Sequence, residues 1–169
     1  SPDRPVHLVG HDWGSVQSWE FITEPSMKGR IASYVSCSGP CLDHMGFWLR
    51  GRLSRPTPRH LYQFAIQMLK SWYVYMFQLP WWPEAQWRLF IGKHWPTLVR
   101  WTEGTIIKPR ATQVSDGTHG VWLYRANVFQ RVMAPRERHA QAHVMVLVAT
   151  KDNFVSPWVS EDLSRWVPR

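Results

Sequence analysis

Asp12 stands at the centre of Gly10-His11-Asp12-Trp13-Gly14, and Asp152 opens a second short run, Asp152-Asn153-Phe154-Val155-Ser156-Pro157. A carboxylate held out at a sharp turn attacks an electrophilic carbon directly and forms an alkyl ester, with no base needed to activate it. A second acid later in the chain can orient a histidine that draws a proton from water. Before Asp12, the residues Val6, Leu8 and Val9 spell a short buried strand; after it, residues 15–24 continue as a helix. Strand, tight turn and helix push the central side chain out above a sheet. Glycine is expected on both sides of such a bend, where little room is left for Cβ atoms. The competing reading makes Asp12 a surface N-cap, a position at which aspartate is among the best residues. Asp152 has its own competing reading, as a turn residue ahead of a helix.

Three strands are expected to position these acids: residues 6–9, Ile31–Cys37 and residues 142–149. Strand, helix, strand in that order implies a right-handed parallel unit. In the third strand Val144, Val146 and Val148 alternate with Met145 and Leu147, apolar on both faces as in a sheet covered by helices. Residues 156–167 read as a final helix with Ser156 as its cap and Pro157 in its first turn. Between Arg50 and Met133 the period changes. Leu61, Phe64, Ala65, Met68, Leu69 and Trp72 follow the three-and-four spacing of an amphipathic helix over residues 58–77. Further helices fit residues 84–92, 96–104 and 120–132. An insertion of about 80 residues exceeds any ordinary connection between a strand and a helix. It reads as a cap over the strand ends where open α/β sheets bind ligands. The chain is thus α/β, with residues 1–49 and 134–169 forming a core and residues 50–133 a helical cap.

Composition narrows the classes. The chain has 169 residues, 44% of them hydrophobic, enough for a core. It has no apolar run of the roughly 18 residues a transmembrane helix needs and no secretion signal at its start. The net charge of +8 comes from scattered residues. Arg50, Arg52, Arg55 and Arg59 form one cluster and Arg131, Arg136 and Arg138 another, neither beside a nucleic-acid module. No nucleic-acid partner is expected; solvated faces, or a basic lip attracting an anionic or membrane-associated substrate, account for the charge. Cys37 and Cys41 are expected as free thiols in a reducing cytoplasm. Eight histidines fall in no ligand pair within one helix, so no metal and no cofactor are expected. Seven of the twelve tryptophans, Trp72, Trp81, Trp82, Trp87, Trp95, Trp101 and Trp122, lie in the cap. Most are expected to form its core, with a few lining a pocket for an apolar, bulky substrate.

Gly10-His11-Asp12-Trp13-Gly14 and Lys151-Asp152-Asn153-Phe154-Val155-Ser156-Pro157 together resemble the nucleophile turn and charge-relay loop of the epoxide hydrolases in the α/β-hydrolase superfamily. Two cap segments are also similar to that family, Trp72-Tyr73-Val74-Tyr75-Met76-Phe77-Gln78-Leu79-Pro80 and Trp122-Leu123-Tyr124-Arg125-Ala126-Asn127. The resemblance implies that Tyr73 and Tyr124 donate hydrogen bonds to the epoxide oxygen, with Tyr75 a rival to Tyr73 if the register shifts by two. It implies that Asp12 is the nucleophile, that the Trp13 backbone N–H holds the oxyanion, and that Asp152 orients the base. The substrate so implied is an apolar or lipid-like epoxide. Residues 38–58 are similar, more narrowly, to actinobacterial bifunctional proteins in which an epoxide hydrolase domain precedes a short-chain dehydrogenase domain. Haloalkane dehalogenases also use Asp in this turn, but they hold a halide with ring N–H donors, whereas an epoxide oxygen needs phenolic acids. A ligand-binding module on the same fold is the non-catalytic alternative.

The α/β-hydrolase order of nucleophile, acid and histidine places the base after Asp152, and all eight histidines precede it. The family's His-Gly-x-Pro oxyanion segment and several strands before Val6 have no counterpart in the chain. The expectation is therefore an internal fragment of a partial α/β-hydrolase fold, competent for alkylation but not for turnover. About three strands are expected, with uncovered edges as a route for association between chains.

Overall fold

A computed structural model describes residues 4–167. Two units are distinguished, one from Ser1–Ser71 with Gln130–Arg169 and the other Trp72–Phe129.

The first unit is built on a three-stranded parallel sheet, β1 (Val6–His11), β2 (Ile31–Cys37) and β3 (His143–Leu147), in the order β1-β2-β3. Register brings Val9, Val35 and Met145 into one row and His11, Cys37 and Leu147 into the last. Helix α1 (Trp13–Ile22) covers one face, where Trp19, Ile22, Ile31 and Tyr34 are buried with Leu8, Val144 and Val146 packed around them. Side chains alternate along a strand. Val9, 78% exposed, and Met145 and Leu147 therefore look the other way, into solvent. This corrects two expectations: β1 is an edge strand and not a buried one, and β3 is covered on one face among the described residues. Apolar runs alone do not distinguish a covered face from an open one.

Helices α2 (Leu42–Ser54) and α3 (Pro58–Lys70) follow in the same unit. Thr57 caps α3 by accepting from the His60 N–H, with Pro58 at the first helical position. The expected helix over 58–77 breaks at Ser71. The expected terminal helix is instead two short 3-10 turns, Pro157–Ser160 and Leu163–Arg165, and the Ser156 hydroxyl makes no capping bond. Arg52, buried in α2, holds this segment through Glu161 (3.0 Å) and Asp162 (3.1 Å).

The second unit comprises α4 (Trp72–Phe77), α5 (Trp82–Gln86), a π-helical turn Trp87–Ile91, α6 (Gly92–Glu103) and most of α7 (Gln113–Met133). Pro96 lies inside α6 and cannot donate to the Gly92 carbonyl one turn before it; the Gln113 side-chain amide donates to that carbonyl instead. Gly104 ends α6 at φ 68°, the left-handed cap that glycine adopts without strain. Trp87 packs on Trp95 at 5.1 Å, but Trp72, Trp81, Trp82, Trp101 and Trp122 are exposed, against the expectation that most cap tryptophans are core.

Candidate active site

The carboxyl ends of the three parallel strands carry Asp12 after β1, Ser38 after β2 and Asp152 after β3, the edge at which open α/β sheets place their chemistry. Asp12 has φ 52° and ψ −127°, a conformation costly for any residue but glycine. Its N–H donates to the Cys37 carbonyl at 3.1 Å, and its own carbonyl accepts from Ser15 and Val16, starting α1. The carboxylate makes no capping bond to the helix. An aspartate retained for capping would have extended backbone and a side chain folded onto the N2 or N3 amide. Asp12 has neither, so helix capping does not account for it.

The glycines around this turn are not equivalent. A Cβ on Gly10 would lie 2.7 Å from Ser15 Cα, so the strand must approach the helix closely there; around Gly14 there is open space. The expectation of a glycine requirement on both sides therefore holds for Gly10 alone. Gly39, which sequence reasoning passed over, is the tightest: its Cβ would meet the Asp12 carbonyl oxygen at 2.2 Å and Ser15 Cβ at 2.5 Å. Ser38 just before it also has positive φ, 47°. The turns after β1 and β2 are thus packed backbone against backbone.

Beneath them lies a buried polar network. Ser15 Oγ donates to the Gly39 carbonyl at 2.7 Å and lies 2.6 Å from Tyr34 Oη and 2.8 Å from Ser36 Oγ. Tyr34 Oη reaches the Ser15 carbonyl at 2.9 Å, and Trp19 Nε1 donates to Ser36. Burial raises the Tyr34 pKa, only partly offset by hydrogen bonds from Ser15 and Ser36, so the phenol stays neutral. A satisfied network at this depth fixes its members in one arrangement. Its visible signal in the sequence was Ser36, one of two serines in the mainly apolar strand β2.

Crowding by protein raises the Asp12 pKa even though one side of the residue meets solvent; His11 and the Trp13 backbone N–H pull it down, and the Asp152 charge pushes it further up. Asp152 Oδ1 accepts from the N–H groups of Phe154 (2.7 Å) and Val155 (3.0 Å), the turn geometry that its competing reading called for. Its carbonyl accepts from Lys70 Nζ. Asp152 also borders a crevice of about 40 Å³ shared with Ser38, Gly39, His44 and Ser156. That volume suits a few waters. Among the described residues no hydrogen bond joins Asp152 to a histidine. His44 is buried, its Nε2 2.7 Å from the Arg138 carbonyl and its ring stacked on Trp166 at 4.8 Å. Burial pulls its pKa down to about 4, which keeps it neutral. Cys41 is buried, its thiol pushed up to about 11 by burial, while Cys37 is half-buried; both are free thiols. No cluster of potential metal ligands occurs among the described residues, and no helix among them is long and apolar enough to cross a membrane.

Within the second unit Tyr73 and Tyr124 lie together, ring centroids 5.5 Å apart and nearly perpendicular, with Phe77 against both. Tyr75 packs against Phe129 at 5.8 Å. Arg125 fastens this arrangement: Nε donates to the Phe77 carbonyl at 2.6 Å, and the guanidinium bonds both Glu84 oxygens and the Leu79 carbonyl. Burial alone would raise the Glu84 carboxyl, but the Arg125 hydrogen bonds hold it below its usual range. Sequence reasoning gave Arg125 no role; its place beside Tyr124 was the only signal.

No family model and no solved structure matches the chain. Curated proteins do. Over its whole length the chain is 34% identical to the protein named "Probable oxidoreductase EphD" in Mycobacterium bovis and in two strains of Mycobacterium tuberculosis. This chain is homologous to EphD. It spans 30% of the length of those relatives, whose name places them among enzymes.

Proposed function

We propose that this chain carries the nucleophile and cap of an epoxide hydrolase on an α/β-hydrolase fold, and that Asp12 is alkylated by an apolar epoxide. The observation that carries this reading is the strained backbone of Asp12 together with its uncommitted role in capping. Asp12 attacks one epoxide carbon as that carbon's bond to oxygen breaks. An ester forms, and the oxygen takes a hydrogen bond or proton from the Tyr73 and Tyr124 phenols, groups of suitable acidity for an alkoxide. The pairing of these two rings supports the assignment. Water cleaves the ester at its carbonyl, with the Trp13 N–H as oxyanion donor and Asp152 orienting a histidine base. No histidine follows Asp152 in this chain, so its own residues supply the alkylation half of the reaction.

The oxidoreductase in the relatives' name is assigned, on this proposal, to the part of those longer proteins that the chain does not span. A haloalkane dehalogenase reaction is disfavoured by the tyrosine pair, since a halide leaves without needing a proton. The test is single-turnover consumption of a hydrophobic epoxide such as styrene oxide. Asp12→Asn abolishes it. Tyr73→Phe with Tyr124→Phe slows it by about 100-fold or more, the scale of losing a donor to a developing oxyanion. Labelling that survives Asp12→Asn contradicts the proposal, and haloalkane alkylation indifferent to both tyrosines favours the dehalogenase.

A further inference from the structure

In the Trp72–Phe129 unit the residues facing solvent are the wrong kind for a surface that meets only water. Along α6 the half-buried stripe is Trp95, Leu98 and Val99. The opposite stripe is Lys93, His94, Thr97, Arg100 and Trp101, all exposed and spaced i, i+1, i+4, i+7, i+8 along one helix face. The preceding π-helical turn adds exposed Arg88, Leu89 and Phe90, and Ile106 follows the Gly104 cap. Leu89 is 78%, Trp101 89% and Ile106 80% exposed. Apolar groups this open occur singly on most proteins; a run of them on one short segment marks an interaction surface.

The charge around them is mostly positive. Arg88, Lys93, Arg100, Lys108 and Arg110 lie within residues 88–110 with one acid, Glu103; Glu84 and Asp116 are the unit's other acids. Glu84 is already taken by Arg125, and Asp116 accepts from the Thr112 hydroxyl.

We propose that residues 88–110 form a docking face for an anionic phospholipid surface. Lys93 and Arg100 meet headgroup phosphates while Leu89, Phe90, Trp101 and Ile106 enter the boundary between headgroups and acyl chains. Interfacial helices combine these residue types, and tryptophan favours that depth. Nucleic acid would satisfy the cations but leave Leu89 and Ile106 in water, so the bilayer accounts for more of the surface. The inference does not depend on the hydrolase reading.

The experiment is flotation of the 169-residue chain with vesicles of phosphatidylglycerol and phosphatidylcholine, or of phosphatidylcholine alone. The chain floats with the anionic vesicles and not the zwitterionic ones, and about 1 M salt, where screening acts within about 3 Å, releases it. Lys93→Gln with Arg100→Gln weakens partitioning about 25-fold, two cations at roughly fivefold each. Leu89→Ser with Trp101→Ser removes it while circular dichroism stays unchanged. Lys28→Gln with Arg30→Gln, exposed cations of the other unit, has no effect. Equal flotation with both vesicle types, or undiminished flotation of the Lys93/Arg100 variant, overturns the proposal. So does binding of an oligonucleotide without flotation, or self-association through Trp101 in place of vesicle binding.

Discussion

Replacing Asp12 with glycine should make the protein more stable while destroying its chemistry. At φ 52° and ψ −127° an L-residue carries about 1–3 kcal/mol of backbone strain. Glycine removes that strain but frees the unfolded chain, returning up to about 1 kcal/mol. The lost side chain subtracts little, since it makes no capping bond to α1. The net gain is about 1 kcal/mol, a rise of about 2–4 °C in unfolding midpoint for a chain of this size. Had Asp12 been a helix cap, glycine would cost a few tenths of a kcal/mol instead.

The electrostatic part has its own pH signature. Crowding raises the Asp12 pKa in the folded state, so the folded protein binds its proton more tightly than the unfolded chain does. The resulting penalty is fully present above the folded pKa and gone below the ordinary value of 3.8. Asp12→Asn therefore stabilises at pH 7, and its advantage shrinks as acid is added, whereas the backbone gain of Asp12→Gly persists. Thermal and urea unfolding followed by circular dichroism at pH 7 and pH 4 measure both. A glycine variant less stable than the parent at both pH values refutes the strain argument.

Other consequences follow from neighbouring residues. Gly39→Ala places a methyl 2.2 Å from the Asp12 carbonyl oxygen and should cost about 1–3 kcal/mol, with loss of epoxide labelling; an unchanged urea midpoint contradicts the packing of the two turns. Arg125→Ala strands a largely buried Glu84 and should cost about 2–3 kcal/mol, less than a fully buried pair because both side chains keep some solvent. Arg125→Ala with Glu84→Gln should recover part of that loss in the same melts. His44, held neutral by burial with a pKa of about 4, contributes stability that is complete above about 6.5 and lost as pH falls toward 4. His44→Phe should flatten the stability profile across that window, and a slope identical to the parent's would exclude His44 as its source. A thiol reagent under native conditions should modify Cys37 ahead of the buried Cys41, as peptide mass mapping would show.

The parts of the fold legible in the sequence were those with a local cause. Ile31–Cys37 was read with its exact ends because β-branched residues run between a Gly-containing break and Ser38-Gly39-Pro40. The turn at Asp12 was legible from its flanking strand and helix, and three parallel strands appeared as expected. What the sequence hid depends on contacts between distant segments. Val9 and Met145 look like core residues until β1 and β3 prove to be edges with one face open. The Ser15–Tyr34–Ser36–Gly39 network joins residues up to 24 apart, and only packing shows that Gly10 and Gly39, not Gly14, are the glycines the turn requires. The ring contact between Tyr73 and Tyr124 likewise joins residues 51 apart in the chain. The 3-10 turns after Ser156, where a helix was expected, are held by Arg52 through Glu161 and Asp162, partners more than 100 residues away in the chain.

The most direct test of the nucleophile assignment is where an epoxide becomes attached. Incubation of the chain with styrene oxide, followed by intact-mass measurement and peptide mapping, should show one substrate mass bound as a hydroxylamine-labile ester on Asp12, absent from Asp12→Asn. A label on Cys37 or a histidine, or none on Asp12 at full substrate excess, contradicts it.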